Sequence, residues 1–191
     1  MLYNIAKHLV HFVIGFKFRL KSEGRENVPK EGPVIIAVNH KSNNDPVVTA
    51  IACPRELSFM AKEELFKNKL FGALIKKLGA FPIRRGAGDI GAVKTAFKIF
   101  KADGAMLIFP EGGRVKNGAK RRAKPGVAML ASRSGVPVIP VYIDGDYRFG
   151  STVTVKFGKA ISFAEYVGKK LSGDEIQELA DMVLEEIYKC R

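Results

Sequence analysis

Tryptophan is missing from the sequence and cysteine nearly so, with Cys53 and Cys190 the only two. They form neither a CxxC nor any metal-ligand spacing, which argues against a structural disulfide and fits a reducing compartment. Three histidines without a Cys/His cluster offer no zinc site, so neither a metal nor another cofactor is expected. No GxSxG occurs, hence no serine nucleophile is expected. RNP, KH and zinc-finger patterns are likewise missing, and the basic residues are not interleaved with aromatics, which argues against nucleic-acid binding. Acidic residues are scarce: 19 against 32 lysines and arginines, a net charge of +13. A chain this basic seeks an anionic partner, whether nucleic acid, acidic lipid, a phosphorylated substrate or an acidic carrier protein. Composition does not choose among them.

What is present is an ordinary share of apolar residues, 47%, in a chain of 191, which is most simply one domain with a sizeable core. Met1–Phe16 carries Leu2, Ile5, Leu9, Phe12, Val13 and Phe16 on one stripe and Asn4, Lys7, His8 and His11 on another, an amphipathic helix. It is too short and too interrupted to span a bilayer, and it lacks the basic start and cleavage site of a signal peptide. Two readings stand: a helix docked on its own domain, or one lying in a membrane interface. His8 and His11 read as part of the polar face rather than as metal ligands.

Strands are expected at Phe16–Lys21, Val34–Val38, Leu57–Ala61, Ala80–Arg85, Ala105–Pro110, Val136–Ile143 (interrupted by prolines) and Thr152–Phe157. Helices are expected at Pro46–Ala52, Glu63–Leu78, Ile90–Ala102 and Gly126–Ser134, and in a last segment opened by the Ser172/Glu175 capping-box spacing. Strand and helix alternate, so the fold class is α/β: a layered domain with a largely parallel central sheet flanked by helices, preceded by the amphipathic helix. The domain plan is residues 1–18 as a membrane-interface helix and 19–191 as one domain.

The chain turns on Val34–Pro46, VIIAVNHKSNNDP. An unbroken apolar run reads as a strand buried on both faces. His40 follows at its exit, and Asp45, five residues on, reads as the N-cap of a helix with Pro46 in its first turn. A loop that tight can fold the carboxylate back onto the imidazole, forming the base half of a catalytic triad. His40, Arg85, Glu111 and Arg114 each stand just past the C-terminal end of an expected strand, the edge at which open parallel sheets bind ligands. A base without a side-chain nucleophile implies that the activated hydroxyl belongs to the substrate or to water, and arginines suit a phosphate because their fork binds two oxygens.

His40-Lys41-Ser42-Asn43-Asn44-Asp45 resembles the HxxxxD motif of the glycerolipid acyltransferases. Phe109-Pro110-Glu111-Gly112-Gly113-Arg114 resembles their FPEGTR motif, Gly79–Arg85 their arginine-bearing second motif, and Val138-Ile139-Pro140-Val141 their fourth. The resemblance covers Gly24 to Ile143 and is nearest to the 1-acyl-sn-glycerol-3-phosphate acyltransferases. It implies transfer of an acyl group from acyl-CoA or acyl carrier protein to the sn-2 hydroxyl of lysophosphatidic acid, or else to glycerol 3-phosphate or another lysophospholipid. It also implies His40 as base, Asp45 as its orienting carboxylate, and Arg85, Glu111, Gly112, Arg114 and Lys124 as the substrate-binding set. No metal or cofactor enters. Two departures stand out: Gly113 where the family has threonine, and Arg84 where it often has aspartate. With both lipids in the bilayer, the interfacial reading of Met1–Phe16 gains weight, and peripheral or monotopic attachment to the cytoplasmic face of the cell membrane is expected.

One rival is a dinucleotide site at Gly86-Ala87-Gly88-Asp89-Ile90-Gly91, a literal GxGxxG that follows a strand and opens a helix. Pro82 and the two arginines spoil the strand before it, Asp89 would face a pyrophosphate, and His40 and Asp45 would have no role.

Overall fold

A computed structural model describes residues 2–83, 89–115 and 121–191. Among them a seven-stranded sheet is built from β1 (Arg19–Glu23), β2 (Val34–Val38), β3 (Leu57–Lys62), β4 (Ala80–Ile83), β5 (Ala105–Ile108), β6 (Val138–Asp144) and β7 (Thr152–Phe157), in the order β1-β7-β6-β2-β5-β3-β4. β6, β2, β5, β3 and β4 run parallel; β7 turns back antiparallel to β6 and carries β1 parallel to itself. The helices are α1 (Leu2–Gly15), α2 (Asp45–Ala52), α3 (Lys69–Lys77), α4 (Ile90–Lys101), α5 (Gly126–Ser134) and α6 (Gly173–Lys189).

Burial on both faces explains the unbroken apolar run of β2. Ile35 and Ala37 point into one core, shared with residues of α4, α5 and α6, while Val34, Ile36 and Val38 point into the other, shared with α2, Phe18 and the β6–β7 pair. Each fully buried Val or Ile contributes about 1.5–3 kcal/mol, so the strand fixes where its exit loop begins. Of the two prolines in the expected strand, Pro137 precedes β6 and Pro140 lies within it without interrupting it. Pro140 pairs with Ala37, and its carbonyl accepts from Gly158 just past β7, so the N–H it lacks falls at the last rung of that ladder.

Two expected elements differ in detail. The helix expected over Glu63–Leu78 is a 3-10 turn, Glu63–Phe66, followed by α3. Asn68 separates them as N-cap, accepting from the Phe71 amide, and Gly72 packs on the Phe66 backbone. β1 begins three residues later than expected, because α1 ends in a turn at Phe16-Lys17 that swings Phe18 into the core.

α1 docks by a face other than the stripe of Ile5, Leu9, Phe12, Val13 and Phe16. Tyr3, Ala6, Lys7, Val10 and Ile14 are half-buried; the Tyr3 hydroxyl accepts from Leu57 N, and Lys7 Nζ donates to Cys53 O at 2.5 Å. Burial pushes the Lys7 ammonium below and the Tyr3 phenol above their ordinary pKa. Ile5, Leu9, Phe12, Val13 and Phe16 are exposed, Phe12 and Phe16 at 66% and 68%. The helix is thus docked on the domain, with Ile5, Leu9, Phe12, Val13 and Phe16 turned away from it.

Candidate active site

His40 leaves β2 through Asn39, whose buried side chain continues the sheet: Ile143 N donates to Asn39 Oδ1 at 2.7 Å, and Asn39 Nδ2 donates to Ile143 O. From there the chain turns through Lys41–Asn44 into α2. Asp45 was expected to cap that helix, but its carboxylate turns back into the loop instead. Oδ2 accepts from Lys41 N at 2.6 Å, from Ser42 N at 2.7 Å and from His40 Nδ1 at 2.8 Å. Oδ1 accepts from the Tyr147 hydroxyl at 2.6 Å. Asp45 is fully buried, and this donor set is what makes a buried carboxylate tolerable. With Nδ1–H given to Asp45, Nε2 is the ring nitrogen left to accept a proton. The imidazole also stacks on Phe109, ring centroids 4.0 Å apart and planes 20° from parallel.

The β5 exit loop locks onto the same histidine through its backbone. Glu111 Oε2 accepts from His40 N at 2.6 Å, Oε1 accepts from the Tyr188 hydroxyl at 2.7 Å, and Val115 N donates to His40 O at 2.7 Å. Glu111 is 2% exposed, so the structure puts its carboxylate beneath the histidine loop rather than at the surface. Gly112 follows in the left-handed region, φ +66°, closing a turn in which its N–H donates to Phe109 O, and the Lys124 stem lies where a side chain would begin. Lys124 is held alongside by its own N–H to Pro110 O at 2.6 Å. Gly113 has the guanidinium of Arg121 against it, Nη1 3.0 Å from where a β-carbon would stand, so the room a threonine would occupy is shared with an arginine.

Helix α6 supports this edge from behind. Besides Tyr188 it supplies Asp181, which accepts from Ala123 N and Arg122 Nε, and Gln177, which donates to Ala123 O. The exposed Arg122–Asp181 pair contributes little by itself; its effect is to locate the 121–124 segment beside the site.

The structure thus brings together His40, Asp45, Glu111, Gly112 and Lys124, with Arg114 joined to them through Val115, whose N–H donates to His40 O. Arg85 and Arg84 lie outside the described residues, as do Gly86–Gly88 of the GxGxxG. Asp89 caps α4 by accepting from Ala92 N, so a carboxylate already sits at the helix start a pyrophosphate would need. Tyr147 and Tyr188 were not singled out from sequence, and Phe109 was named only as part of its motif. Tyr147 could have been, since it stands just past the C-terminal end of β6, at the edge that named the others.

Burial raises the pKa of Glu111, opposed by its bonds from Tyr188 and His40 N. A carboxyl whose pKa is higher folded than unfolded contributes stability at low pH that is lost as pH rises through the folded value. Wild type should therefore lose stability relative to Glu111→Gln as pH rises from the ordinary carboxylate range upward, measured by urea unfolding across pH. Glu111→Ala, which strands the His40 amide and the Tyr188 hydroxyl, should cost about 1–3 kcal/mol at neutral pH.

The sequence profile of the acyltransferase family matches residues 19–144, a span that takes in the strand-exit histidine, the buried aspartate that holds it and the Phe-Pro-Glu-Gly loop closing over its backbone. The chain belongs to that family. The 1-acyl-sn-glycerol-3-phosphate acyltransferase of Streptococcus pneumoniae is 31% identical over 162 residues, 81% of this chain and 59% of that protein. The protein of the same name from Bacillus subtilis is 28% identical over 145 residues, 75% of this chain and 72% of its own length. The crystal structure of the 1-acyl-sn-glycerophosphate (LPA) acyltransferase of Thermotoga maritima superposes with a TM-score of 0.70 at 26% identity, over 98% of this chain and 80% of that one.

Proposed function

We propose that this protein transfers a fatty acyl group from a thioester, acyl-CoA or acyl carrier protein, to the sn-2 hydroxyl of 1-acyl-sn-glycerol 3-phosphate, making phosphatidic acid for phospholipid biosynthesis. The observation that carries the reading is the 2.8 Å bond from His40 Nδ1 to a fully buried Asp45 at the ligand-binding edge of the sheet. Neither cysteine offers a competing nucleophile: Cys53 is buried at the end of α2, and Cys190 closes α6 with its thiol donating to Glu186 O. The Ser42 hydroxyl is turned to the Asn44 amide.

In this reading His40 Nε2 takes the proton of the sn-2 hydroxyl as its oxygen attacks the thioester carbonyl, and Asp45 stabilises the imidazolium that forms. The proton then passes to the departing thiolate as the tetrahedral intermediate collapses. Arg114, Lys124 and Arg85 hold the phosphate. Glu111 acts through the backbone, holding His40 N in place. Purified protein given acyl-CoA or acyl carrier protein, with lysophosphatidic acid, glycerol 3-phosphate and a neutral lysophospholipid as acceptors, should form product with the first alone. Transfer to glycerol 3-phosphate but not to lysophosphatidic acid would overturn the acceptor assignment.

The partner surface we infer is an anionic bilayer, on the cytoplasmic face where the thioester donors are. Among the described residues no helix is long and apolar enough to cross a membrane. The outward stripe of α1 is apolar and carries no acid, and a shallow groove of about 480 Å³ runs along it between His8, His11, Phe12, Gly15 and Phe16. Its C-terminal end lies at the active edge, since Gly150 N donates to Lys17 O in the loop that carries Tyr147. Leu65, Leu70 and Leu74, exposed among Lys67, Lys69, Lys76 and Lys77, add a second apolar and basic surface. Replacing Phe12 and Phe16 together by aspartate should weaken partition into phosphatidylglycerol-containing vesicles by roughly ten- to a hundredfold in a sedimentation assay. Unchanged partition would remove α1 from the interface.

A further inference from the structure

Asp45 is fully buried and its two oxygens are served differently. Oδ2 takes three donors from its own loop, Lys41 N, Ser42 N and His40 Nδ1. Oδ1 is met by a donor from 102 residues further along the chain, the Tyr147 hydroxyl at 2.6 Å. A carboxylate held at one oxygen alone can swing about its Cβ–Cγ bond; held at both, it cannot.

Tyr147 is itself held on several sides. Phe18, at the end of the α1–β1 turn, meets its ring edge to face with centroids 5.4 Å apart. The Lys41 ammonium lies 5.9 Å from its ring centre and donates to Gly145 O at 2.5 Å, in the same loop. Gly145 makes the turn out of β6 at φ +88°, where an added β-carbon would stand 2.1 Å from Thr152 O, so the approach to Tyr147 requires glycine. Burial and the neighbouring Asp45 charge raise the Tyr147 pKa far above the ordinary phenol value, so the hydroxyl stays a donor throughout the working pH range.

We propose that Tyr147 is a positioning residue for acyl transfer: its hydroxyl anchors Asp45 Oδ1 so that Oδ2 stays on His40 Nδ1 and the other ring nitrogen is kept as the proton acceptor. This rests on His40 being the base. The bond also spreads the carboxylate charge, so removing it concentrates that charge on His40 and makes the imidazole more basic. Among the described residues the other charged groups around the trio are Lys41 above the Tyr147 ring, Asp144, Asp146 and Arg191 near Lys41, and Glu111 beneath His40. None of them changes in a Tyr147→Phe variant.

That variant keeps the ring, and with it the Phe18 contact, and deletes one hydroxyl. We expect kcat to fall roughly ten- to a hundredfold, the acceptor KM to stay within about twofold, and the acid limb of kcat/KM to move to higher pH. A structural role alone would leave that limb where it is. The imidazole N–H signal of His40 should also shift in NMR spectra of the variant, a readout that needs no turnover. An unmoved pH profile together with an unmoved imidazole signal would overturn the proposal. His40→Ala, assayed beside it, separates the two readings. An inactive His40→Ala with a wild-type Tyr147→Phe sinks the tyrosine assignment alone, whereas an active His40→Ala sinks the base and the tyrosine together.

Discussion

His40→Ala should reduce acyl transfer by at least about 10²–10⁴-fold, the usual contribution of a general base, while the protein stays folded. The two halves of that expectation come from different atoms. The catalytic half resides in the ring, which Asp45 Oδ2 holds through Nδ1 at 2.8 Å. The structural half resides in the main chain, because the bonds that fasten this residue are His40 N to Glu111 Oε2 and Val115 N to His40 O, and alanine keeps both. The ring is 12% exposed and its loss removes one stacking contact with Phe109, worth on the order of 1 kcal/mol. Asp45 is not stranded either, since Lys41 N, Ser42 N and the Tyr147 hydroxyl still serve it. Turnover and thermal unfolding measured on one preparation should therefore separate: activity lost, melting temperature lowered by a few degrees at most. Activity near wild type would remove the base assignment.

Which parts of this site could be read from the sequence follows from the range of the interactions involved. His40 and Asp45 are five residues apart, and the buried strand before them announces itself by an unbroken apolar run, so both were legible. The convergence of the β2 and β5 exits needed only the rule that parallel strands share a ligand edge. Tyr188 reaches Glu111 across 77 residues with no local pattern to announce it, and Tyr147 reaches Asp45 across 102 with only its place past the end of β6 as a signal. Asp45 shows a different limit. Its reach back to the imidazole was expected, but a carboxylate at a helix start also reads as a cap, and the structure gives it the Lys41 and Ser42 amides of the preceding loop instead. α1 shows another: its periodicity established two faces but not which one meets the domain, and the answer turned on Tyr3 and Lys7 finding backbone partners near β3. β7 alternates as half-buried strands do, and alternation reports burial without direction, so its antiparallel run was not legible.

Arg114→Ala should act on the acceptor and not on the thioester. Arg114 is joined to Val115, whose N–H holds the His40 carbonyl, so its backbone is registered to the proposed base while its side chain remains exposed at the same edge. A guanidinium there can take two phosphate oxygens at once, with the separation between phosphate and attacking hydroxyl fixed by the glycerol backbone. Truncating one side of a buried charge pair costs about 2–5 kcal/mol, and the solvent exposure of Arg114 before substrate binds places the expectation at the lower end. That corresponds to an acceptor KM raised by roughly thirtyfold or more, since each 1.4 kcal/mol is a factor of ten. Arg114→Lys, which keeps the charge and loses the fork, should fall between wild type and alanine. Because the side chain is exposed, neither variant should alter the melting temperature, so a changed KM reports binding rather than folding. Steady-state kinetics with each substrate varied in turn decide the matter: a flat acceptor KM with a raised thioester KM would move Arg114 from the phosphate to the acyl donor.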